Sequence, residues 1–179
     1  LLYDVDSAHL NLTPYQSTIY IVSKNKLKAE KRRQIKDCFE MELPTKWNVK
    51  YADSMSYPNF HEVLNIESLG FVHLLEGFED KAGTVQYSSE IEVEEVRHTV
   101  LNLGDVYETA QVFVNGESAG IRICKPYIFD ISKYLNKGKN QVCIEITNTL
   151  GTQVRDSLSH YLPIEPFGIY GPVKLKIEK

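Results

Sequence analysis

The sequence predicts an all-β fold in which two sheets pack face to face or close into a barrel. From about residue 39 onwards, apolar and polar residues alternate in six or more short runs, which is the period of a half-buried strand. Glycine and asparagine separate these runs, and almost no stretch has the 3.6-residue period of an amphipathic helix. The helical structure that we expect is therefore limited to short turns in loops.

Composition agrees with a folded domain. The 179 residues suit one domain, with or without a short appendage, and 42 % of them are hydrophobic, which is enough for a full core. A net charge of −4 gives no general attraction to nucleic acid or anionic lipid. No run approaches the length of about 18 apolar residues that a membrane span needs. We therefore expect neither nucleic acid nor a membrane as a partner.

Residues 1–22 predict two short strands, His9–Leu12 and Ser17–Val22, which a Thr13-Pro14 break separates. Two strands cannot bury a core alone, so they must pack on something else. The chain opens with "LLYDVDSAHL", without an initiator methionine or the basic-then-apolar pattern of a signal peptide. We expect a piece of a longer polypeptide, for which cytoplasmic and exported locations both stay open.

Residues 23–38 predict a basic linker. Between Ser23 and Asp37 there are seven lysines and arginines but only two acidic residues. A nucleic-acid-binding patch would need aromatic residues or glycine interleaved among them, and the run contains neither. The run is typical of a solvated connection or a short exposed helix.

Residues 39–179 carry the predicted sandwich. Trp47, the single tryptophan, lies in an alternating run near its start, where core burial is the expected role. Between Val85 and Glu94 one face is mainly apolar and the other is polar and rich in glutamate, so we expect a half-buried strand. Further strands are predicted at Thr99–Leu103, Ala110–Val114, Val142–Ile146 and Val173–Ile177.

The segment around Asn115-Gly116 predicts a two-residue type I′ hairpin, because both residues tolerate positive φ. Gly120 would then mark a bulge or a close backbone approach. Pro126 cannot donate a ladder hydrogen bond and predicts a strand start or a sheet edge. The run Asp130–Gly138 predicts one helical turn, with Asp130 or Ser132 at its start and Gly138 at its end.

No motif predicts a catalytic residue, a metal site or a cofactor. Glu90, Glu92 and Glu94 alternate with apolar residues and are typical of a solvated sheet face. The five histidines lack ligand spacing, and neither a nucleophile elbow nor a phosphate loop is present. The cysteines match no zinc or redox pattern, and we expect Cys124 and Cys143 to be buried free thiols.

Three loop-like runs combine aromatic and polar residues in the way a sugar site requires. A sugar presents an apolar ring face surrounded by hydroxyls, so a flat aromatic ring and nearby hydrogen-bonding groups bind it together. The same mixture also occurs in ordinary loops without a ligand. The candidate carbohydrate-binding residues are Tyr107, Glu108, Lys125, Tyr127, Arg155, Asp156, His160 and Tyr161.

Two long runs, "LNLGDVYETAQVFVNGESAG" and "KPYIFDISKYLNKGKNQVCIEITNTL", together with the closing "PFGIYGPVKLKI", carry a family resemblance. They resemble the galactose-binding-like jelly roll that occurs as an accessory domain in glycoside hydrolases. The pattern is similar to the sugar-binding domain of glycoside hydrolase family 2 and closer still to the C-terminal module of family 106 rhamnosidase-like enzymes. It covers about residues 40–179.

The resemblance implies a jelly-roll β-sandwich over residues 39–179 that is not itself catalytic. Its partner would be the catalytic domain of the same polypeptide, in a bacterial parent enzyme that hydrolyses O-glycosyl bonds, and residues 1–22 would be the last strands of a preceding domain. Some family members bind oligosaccharide and others only support the catalytic domain. Calcium is common in this fold, but no carboxylate cage is evident in the sequence. An adhesion or protein-interaction sandwich is the alternative.

Overall fold

The computed structural model describes residues 3–4, 12, 17–25, 27–28, 30–31, 37–43, 46–64, 66, 68–154 and 166–179. Within these residues the chain forms β-strands and short 3₁₀ turns, the latter at Val72–Leu74, Ser132–Tyr134 and Leu150–Thr152. Among the described residues no helix has the length and apolar character to cross a membrane. The strands are β1 Tyr3–Asp4, β2 Glu30–Lys31, β3 Cys38–Glu42, β4 Asn48–Asp53, β5 Glu62–Leu64, β6 Gly70–Phe71, β7 Gly83–Val93, β8 Thr99–Asn102, β9 Asp105–Tyr107, β10 Thr109–Val114, β11 Glu117–Arg122, β12 Ile128–Asp130, β13 Gly138–Thr147, β14 Gly168–Gly171 and β15 Lys174–Glu178.

The strands form an all-β sandwich, as the sequence predicts. One layer is a six-stranded sheet in the order β11-β10-β13-β7-β4-β5. The other layer consists of a four-stranded sheet, β12-β8-β15-β3, and a three-stranded sheet, β6-β14-β9. All pairings within these three sheets are antiparallel, whereas β1 and β2 pair in parallel as a separate two-stranded ladder.

The core lies between the two layers and forms one hydrophobic cluster. Alternate residues of β7, such as Val85 and Tyr87, are fully buried, and Leu101 and Leu175 are buried in the opposite layer. The hydroxyl of Tyr87 accepts a hydrogen bond from the backbone N–H of Ile169 in β14 at 3.4 Å and so links the layers directly. Burial raises the pKa of Tyr87, which keeps this hydroxyl neutral.

The predicted hairpin is confirmed. Asn115 and Gly116 join β10 to β11 with φ values of 52° and 83°, as a type I′ turn requires. The register shifts between Val112 and Phe113, which pair with Gly120 and Ser118, so Ala119 is an extra residue in β11. The bulge therefore lies beside Gly120, whose φ is 116°.

Trp47 and the turn after β12 agree with the sequence predictions, whereas Gly138 and Cys124 do not. Trp47 is a core residue with 8 % of its surface exposed. The turn after β12 is a 3₁₀ turn, and Asp130 accepts hydrogen bonds from the Ser132 N–H at 3.0 Å and from its hydroxyl at 2.5 Å. Gly138 does not end this turn as expected, because it opens β13 instead. Cys124 is exposed rather than buried, because it lies in the turn after β11 and not within the strand.

The predictions for the N-terminal part of the chain are tested only in part, and one of them is wrong. Residues 9–11 and the Thr13-Pro14 break lie outside the described residues. Ser17–Val22 is exposed and carries no strand, so that prediction is wrong: in the described structure its backbone joins no ladder, and a strand requires one. Part of the basic run, Glu30–Lys31, pairs with Tyr3–Asp4. The boundaries at 1–22, 23–38 and 39–179 stay a prediction.

Candidate functional site

The structure describes four of the predicted carbohydrate-binding residues. Tyr107 ends β9 and Glu108 follows it, while Lys125 and Tyr127 lie in the connection between β11 and β12. The remaining predictions, Arg155, Asp156, His160 and Tyr161, lie outside the described residues.

Tyr127 has a structural place in the fold. Only 4 % of its surface is exposed, and its hydroxyl donates to the backbone carbonyl of Glu108. Burial raises the pKa of this hydroxyl, so it remains a donor at neutral pH. Its ring lies in the core and has no free face for a sugar. Tyr127 instead holds the connection before β12 against the start of β10, and the Glu108 side chain beside it is half-buried.

Tyr107 belongs to a group of rings on the outer face of the three-stranded sheet. Val106 and Ile169 point into the core, so their neighbours Tyr107 and Tyr170 point outward. Gly168 pairs with Tyr107 on one side and with Phe71 on the other, so β14 brings these two residues to neighbouring positions. We call Phe71, His73, Tyr107 and Tyr170 the aromatic cluster.

Phe71 is the centre of the aromatic cluster. The Tyr170 ring stacks on it with a centroid distance of 5.0 Å and an interplanar angle of 20°. Tyr107 meets it edge-on at 5.7 Å, and the His73 ring lies 5.5 Å away. Tyr170 is 61 % exposed, whereas the other three rings are half-buried. The cluster is therefore an open, largely aromatic surface supported from below by the sheet.

A charged pair lies at one side of the aromatic cluster. The Lys125 ammonium is 5.6 Å from the Tyr107 ring centroid and 2.6 Å from Oδ1 of Asp105. The hydrogen bond to Asp105 raises the pKa of Lys125. The two side chains remain 43 % and 52 % exposed, respectively, so the pair is accessible to a ligand.

His73 adds a defined donor to the cluster. The backbone N–H of Phe167 donates to Nδ1 of His73 at 3.2 Å. Because a backbone N–H can only donate, Nδ1 is unprotonated and Nε2 carries the proton of the neutral ring. The aromatic cluster and the adjacent charged pair together combine ring faces with the donors His73 and Lys125, the acceptor Asp105 and the hydroxyl of Tyr170. This is the set of groups that a pyranose ring needs.

The sequence indicated Tyr107 and Lys125 but missed Phe71, His73 and Tyr170. These three residues come from β6, the following 3₁₀ turn and β14, which are far apart along the chain. Strand pairing brings them together, and pairing between distant strands leaves no local pattern. The outward position of Tyr170 is the one part that alternation in "GIYG" could have indicated.

Among the described residues, no group of three or more His, Cys, Asp or Glu side chains is placed to hold a metal ion.

Comparisons with known proteins show which other proteins resemble this chain in sequence or in fold. No protein-family model matches the sequence. A protein of Formosa agariphila named "Putative beta-glucuronidase" is 38 % identical over 82 residues, which cover 43 % of this chain and 7 % of that protein.

Solved structures match over a larger part of the chain. The rhamnosidase from Novosphingobium sp. PP1Y gives a TM-score of 0.63 at 24 % identity, covering 83 % of this chain and 16 % of that one. A GH2 beta-galacturonidase from Eisenbergiella tayi gives 0.60 at 20 % identity, covering 79 % and 25 %. The beta-D-glucuronidase of Dictyoglomus thermophilum gives 0.58 at 19 % identity, covering 82 % and 29 %.

The chain therefore spans from 7 % to 29 % of the length of these proteins. The structural matches lie below 25 % identity and show a shared fold. This sandwich is a fold that a rhamnosidase, a GH2 beta-galacturonidase and a beta-D-glucuronidase each contain as one part of a longer chain.

Proposed function

We propose that this chain is a non-catalytic, galactose-binding-like jelly-roll module of a larger bacterial glycoside hydrolase, which hydrolyses O-glycosyl bonds. Two findings support the proposal. The sandwich matches a minor part of a rhamnosidase and of two other sugar-cleaving enzymes. A protein named as a glucuronidase is similar in sequence over 82 residues. The catalytic carboxylates of the parent would then lie in another domain, and that domain would be the partner of this module.

The module binds oligosaccharide through the aromatic cluster and so positions substrate for the catalytic domain. The observation that carries this assignment is the stack of Tyr170 on Phe71, because Tyr170 remains 61 % exposed. An exposed ring on a rigid sheet offers a sugar a flat apolar face at little entropic cost. Lys125 and Asp105 lie beside Tyr107 of the same cluster, where they can exchange hydrogen bonds with hydroxyls.

Isothermal titration of the chain with oligosaccharides tests the binding step. We expect Tyr170→Ala to weaken binding about tenfold, since losing one stacking face costs about 1.4 kcal/mol. Tyr20→Ala is the matched control, because Tyr20 is also exposed (46 %) but lies in the N-terminal segment. Equal affinity of Tyr170→Ala and the parent chain would rule out the aromatic cluster as the binding surface.

A parent enzyme carrying the same substitution tests the positioning step. A small aryl glycoside needs only the catalytic domain, whereas an oligosaccharide also reaches the module. We expect Tyr170→Ala to lower kcat/KM on oligosaccharide and to leave turnover of the aryl glycoside unchanged. An equal loss on both substrates would instead indicate that the aromatic cluster packs against the catalytic domain.

A further inference from the structure

We propose that Asn115 is a latent modification site, at which the chain deamidates itself when the hairpin between β10 and β11 opens. Asn115-Gly116 is the only Asn-Gly pair in the sequence. Every other asparagine precedes a residue that carries a side chain, and such a side chain hinders the backbone nitrogen that attacks in this reaction. The inference goes beyond the proposed function, because the reaction needs this turn and water and no parent hydrolase.

The reaction forms one bond and breaks another. The backbone nitrogen of Gly116 attacks Cγ of Asn115, the Cγ–Nδ2 bond breaks, and the amide nitrogen leaves as ammonia with the proton from Gly116. Water then opens the cyclic imide at either of its carbonyl carbons. The product at residue 115 is aspartate or isoaspartate. Water has access, because Asn115 and Gly116 are both exposed.

In the folded chain, hydrogen bonds hold the whole amide of Asn115. Its Oδ1 accepts from the Gln141 N–H at 3.0 Å, and its Nδ2 donates to the Tyr134 carbonyl at 2.9 Å and to Oδ1 of Asn140 at 2.8 Å. The orientation of the amide is fixed, because a backbone N–H only donates and a carbonyl only accepts. Attack makes Cγ tetrahedral, which moves Oδ1 and Nδ2 out of the plane in which these bonds form.

Asn140 holds this network from inside the fold. It is 1 % exposed, and its Oδ1 also accepts from the Asn136 N–H at 2.7 Å. Its Nδ2 donates to the carbonyls of Asn136 at 2.8 Å and Gly138 at 2.9 Å. These bonds fix Asn140, so it cannot follow Asn115 when that amide changes shape. Deamidation therefore requires the hairpin turn to separate first from β13 and from the 3₁₀ turn after β12.

The product cannot restore the lost contacts. A carboxylate at residue 115 has no hydrogen to donate, and it would face the Tyr134 carbonyl and Oδ1 of Asn140, which are themselves acceptors. Isoaspartate also adds a backbone carbon to a two-residue turn, which then no longer has type I′ geometry. Modification therefore makes a transient opening of the hairpin permanent.

Peptide mapping by mass spectrometry tests the protection. The 179-residue chain is incubated at mildly alkaline pH, folded and in concentrated urea, and the conversion of each asparagine is followed with time. We expect Asn115 to react first in urea and at least about tenfold more slowly in the folded chain, because only the opened fraction reacts. Equal rates in the two conditions, or faster conversion of another asparagine in urea, would overturn the proposal.

One variant and a matched control test the role of the network. Asn140→Ala leaves the reacting pair intact, and we expect it to raise the folded-state rate at least about fivefold without changing the rate in urea. Asn148→Ala is the matched control, because Asn148 also bonds two backbone groups, the Gly83 N–H and the Lys81 carbonyl, but beyond the opposite end of β13. Equal folded-state rates in these two variants would rule out local protection by the network.

Gly116→Ala tests the attacking nitrogen, and it does so even if the variant does not fold. The added methyl group hinders that nitrogen, so we expect the rate at Asn115 in urea to fall at least about tenfold. An unchanged rate would exclude attack by the backbone nitrogen of residue 116.

The modified chain itself tests whether the change is permanent. Its extra negative charge separates it from the unmodified chain by ion exchange. We expect its thermal unfolding midpoint to lie at least about 4 °C lower. Equal midpoints would show that the network closes around the carboxylate and would overturn this step.

Discussion

Cys124 and Cys143 differ in burial, and the difference sets their reactivity. Cys124 is exposed in the turn after β11, whereas Cys143 is half-buried in β13 beside Glu145. Burial first, and the Glu145 charge second, raise the pKa of the Cys143 thiol to about 12. At pH 8 roughly one Cys143 thiol in ten thousand is ionised, and the thiolate is the reactive form.

We therefore expect a thiol reagent such as DTNB to label Cys124 first at pH 8 in the folded chain and to leave Cys143 unlabelled until it unfolds. Mass spectrometry of the labelled peptides identifies the site. Cys38 is a third, half-buried thiol, so the comparison is made in a Cys38→Ser background. There Cys124→Ser should remove the fast phase, and a fast phase that persists would contradict the assignment.

Glu145 is a buried carboxylate whose partners come from two other elements. It is 8 % exposed, and it accepts hydrogen bonds at 3.0 Å from the Tyr57 hydroxyl and at 3.0 Å from Nε2 of Gln86. Tyr57→Phe removes one donor and leaves the carboxylate short of a partner. We expect a loss of about 1–3 kcal/mol in the free energy of unfolding, measured by urea denaturation.

Tyr170→Phe provides the comparison for this prediction, because it removes the hydroxyl of an exposed tyrosine and should change the free energy of unfolding by less than about 0.5 kcal/mol. Equal stability of the two variants would show that Glu145 finds other partners when the Tyr57 hydroxyl is lost.

At the scale of elements, the hairpin between β10 and β11 depends on Asn115 more than on Gly116. Nδ2 of Asn115 donates to the Tyr134 carbonyl at 2.9 Å and to Oδ1 of Asn140 at 2.8 Å, and its Oδ1 accepts from the Gln141 N–H at 3.0 Å. Asn115 therefore ties the turn to the 3₁₀ turn after β12 and to β13. Asn140, 1 % exposed, is buried at the centre of this network.

We expect Asn115→Ala to lower the free energy of unfolding by about 3 kcal/mol, since it loses these bonds as well as an asparagine that tolerates positive φ. Gly116→Ala should lower the free energy of unfolding by only about 1–2 kcal/mol, the cost of a residue with a Cβ at positive φ. No steric clash adds to it, because no atom lies within 4 Å of the added methyl group. Thermal unfolding of both variants checks the order. Equal losses would mean that the side-chain bonds of Asn115 contribute nothing.

These elements show how far the sequence could be interpreted. The hairpin, the bulge and the alternating strands follow from residues close together, so local chemistry indicates them. The aromatic cluster depends on the pairing of Gly168 with Phe71 and Tyr107, which no local pattern reveals. The segment Ser17–Val22 alternates like a strand, yet it is exposed and joins no described ladder, because alternation specifies a face and not a partner.

The burial of an individual aromatic residue cannot be predicted from the local sequence pattern either. Tyr107 and Tyr127 lie in similar mixed runs of the sequence. One is half-buried on an outer face, whereas the other is 4 % exposed in the core.

For the whole molecule, the core between the two layers supports the aromatic cluster. The aromatic cluster lies on the three-stranded sheet, and the six-stranded sheet forms the opposite layer. Tyr87 of the six-stranded sheet is bonded across the core to Ile169. A substitution that changes only surface contacts of the cluster should therefore leave the core intact, whereas one that shifts the layers should also change the cluster.

The second layer divides into two sheets where Gly104, between β8 and β9, meets Gly171 at the end of β14. The two segments of the chain cross so closely that a Cβ on Gly104 would lie 2.6 Å from the carbonyl carbon and oxygen of Gly171. Its φ of 67° is also unfavourable for any residue with a Cβ. Backbone atoms cannot yield as a flexible side chain can, so Gly104→Ala must move one sheet relative to the other.

We expect Gly104→Ala to lower the free energy of unfolding by more than about 4 kcal/mol, measured by urea denaturation, with loss of soluble protein where that exceeds the total stability. Gly77→Ala is the matched control, because Gly77 has a similar φ of 80° and open space around the added methyl group. It should cost only about 1–2 kcal/mol. Equal losses in the two variants would show that backbone conformation, and not the close crossing of the two segments, makes glycine necessary at residue 104.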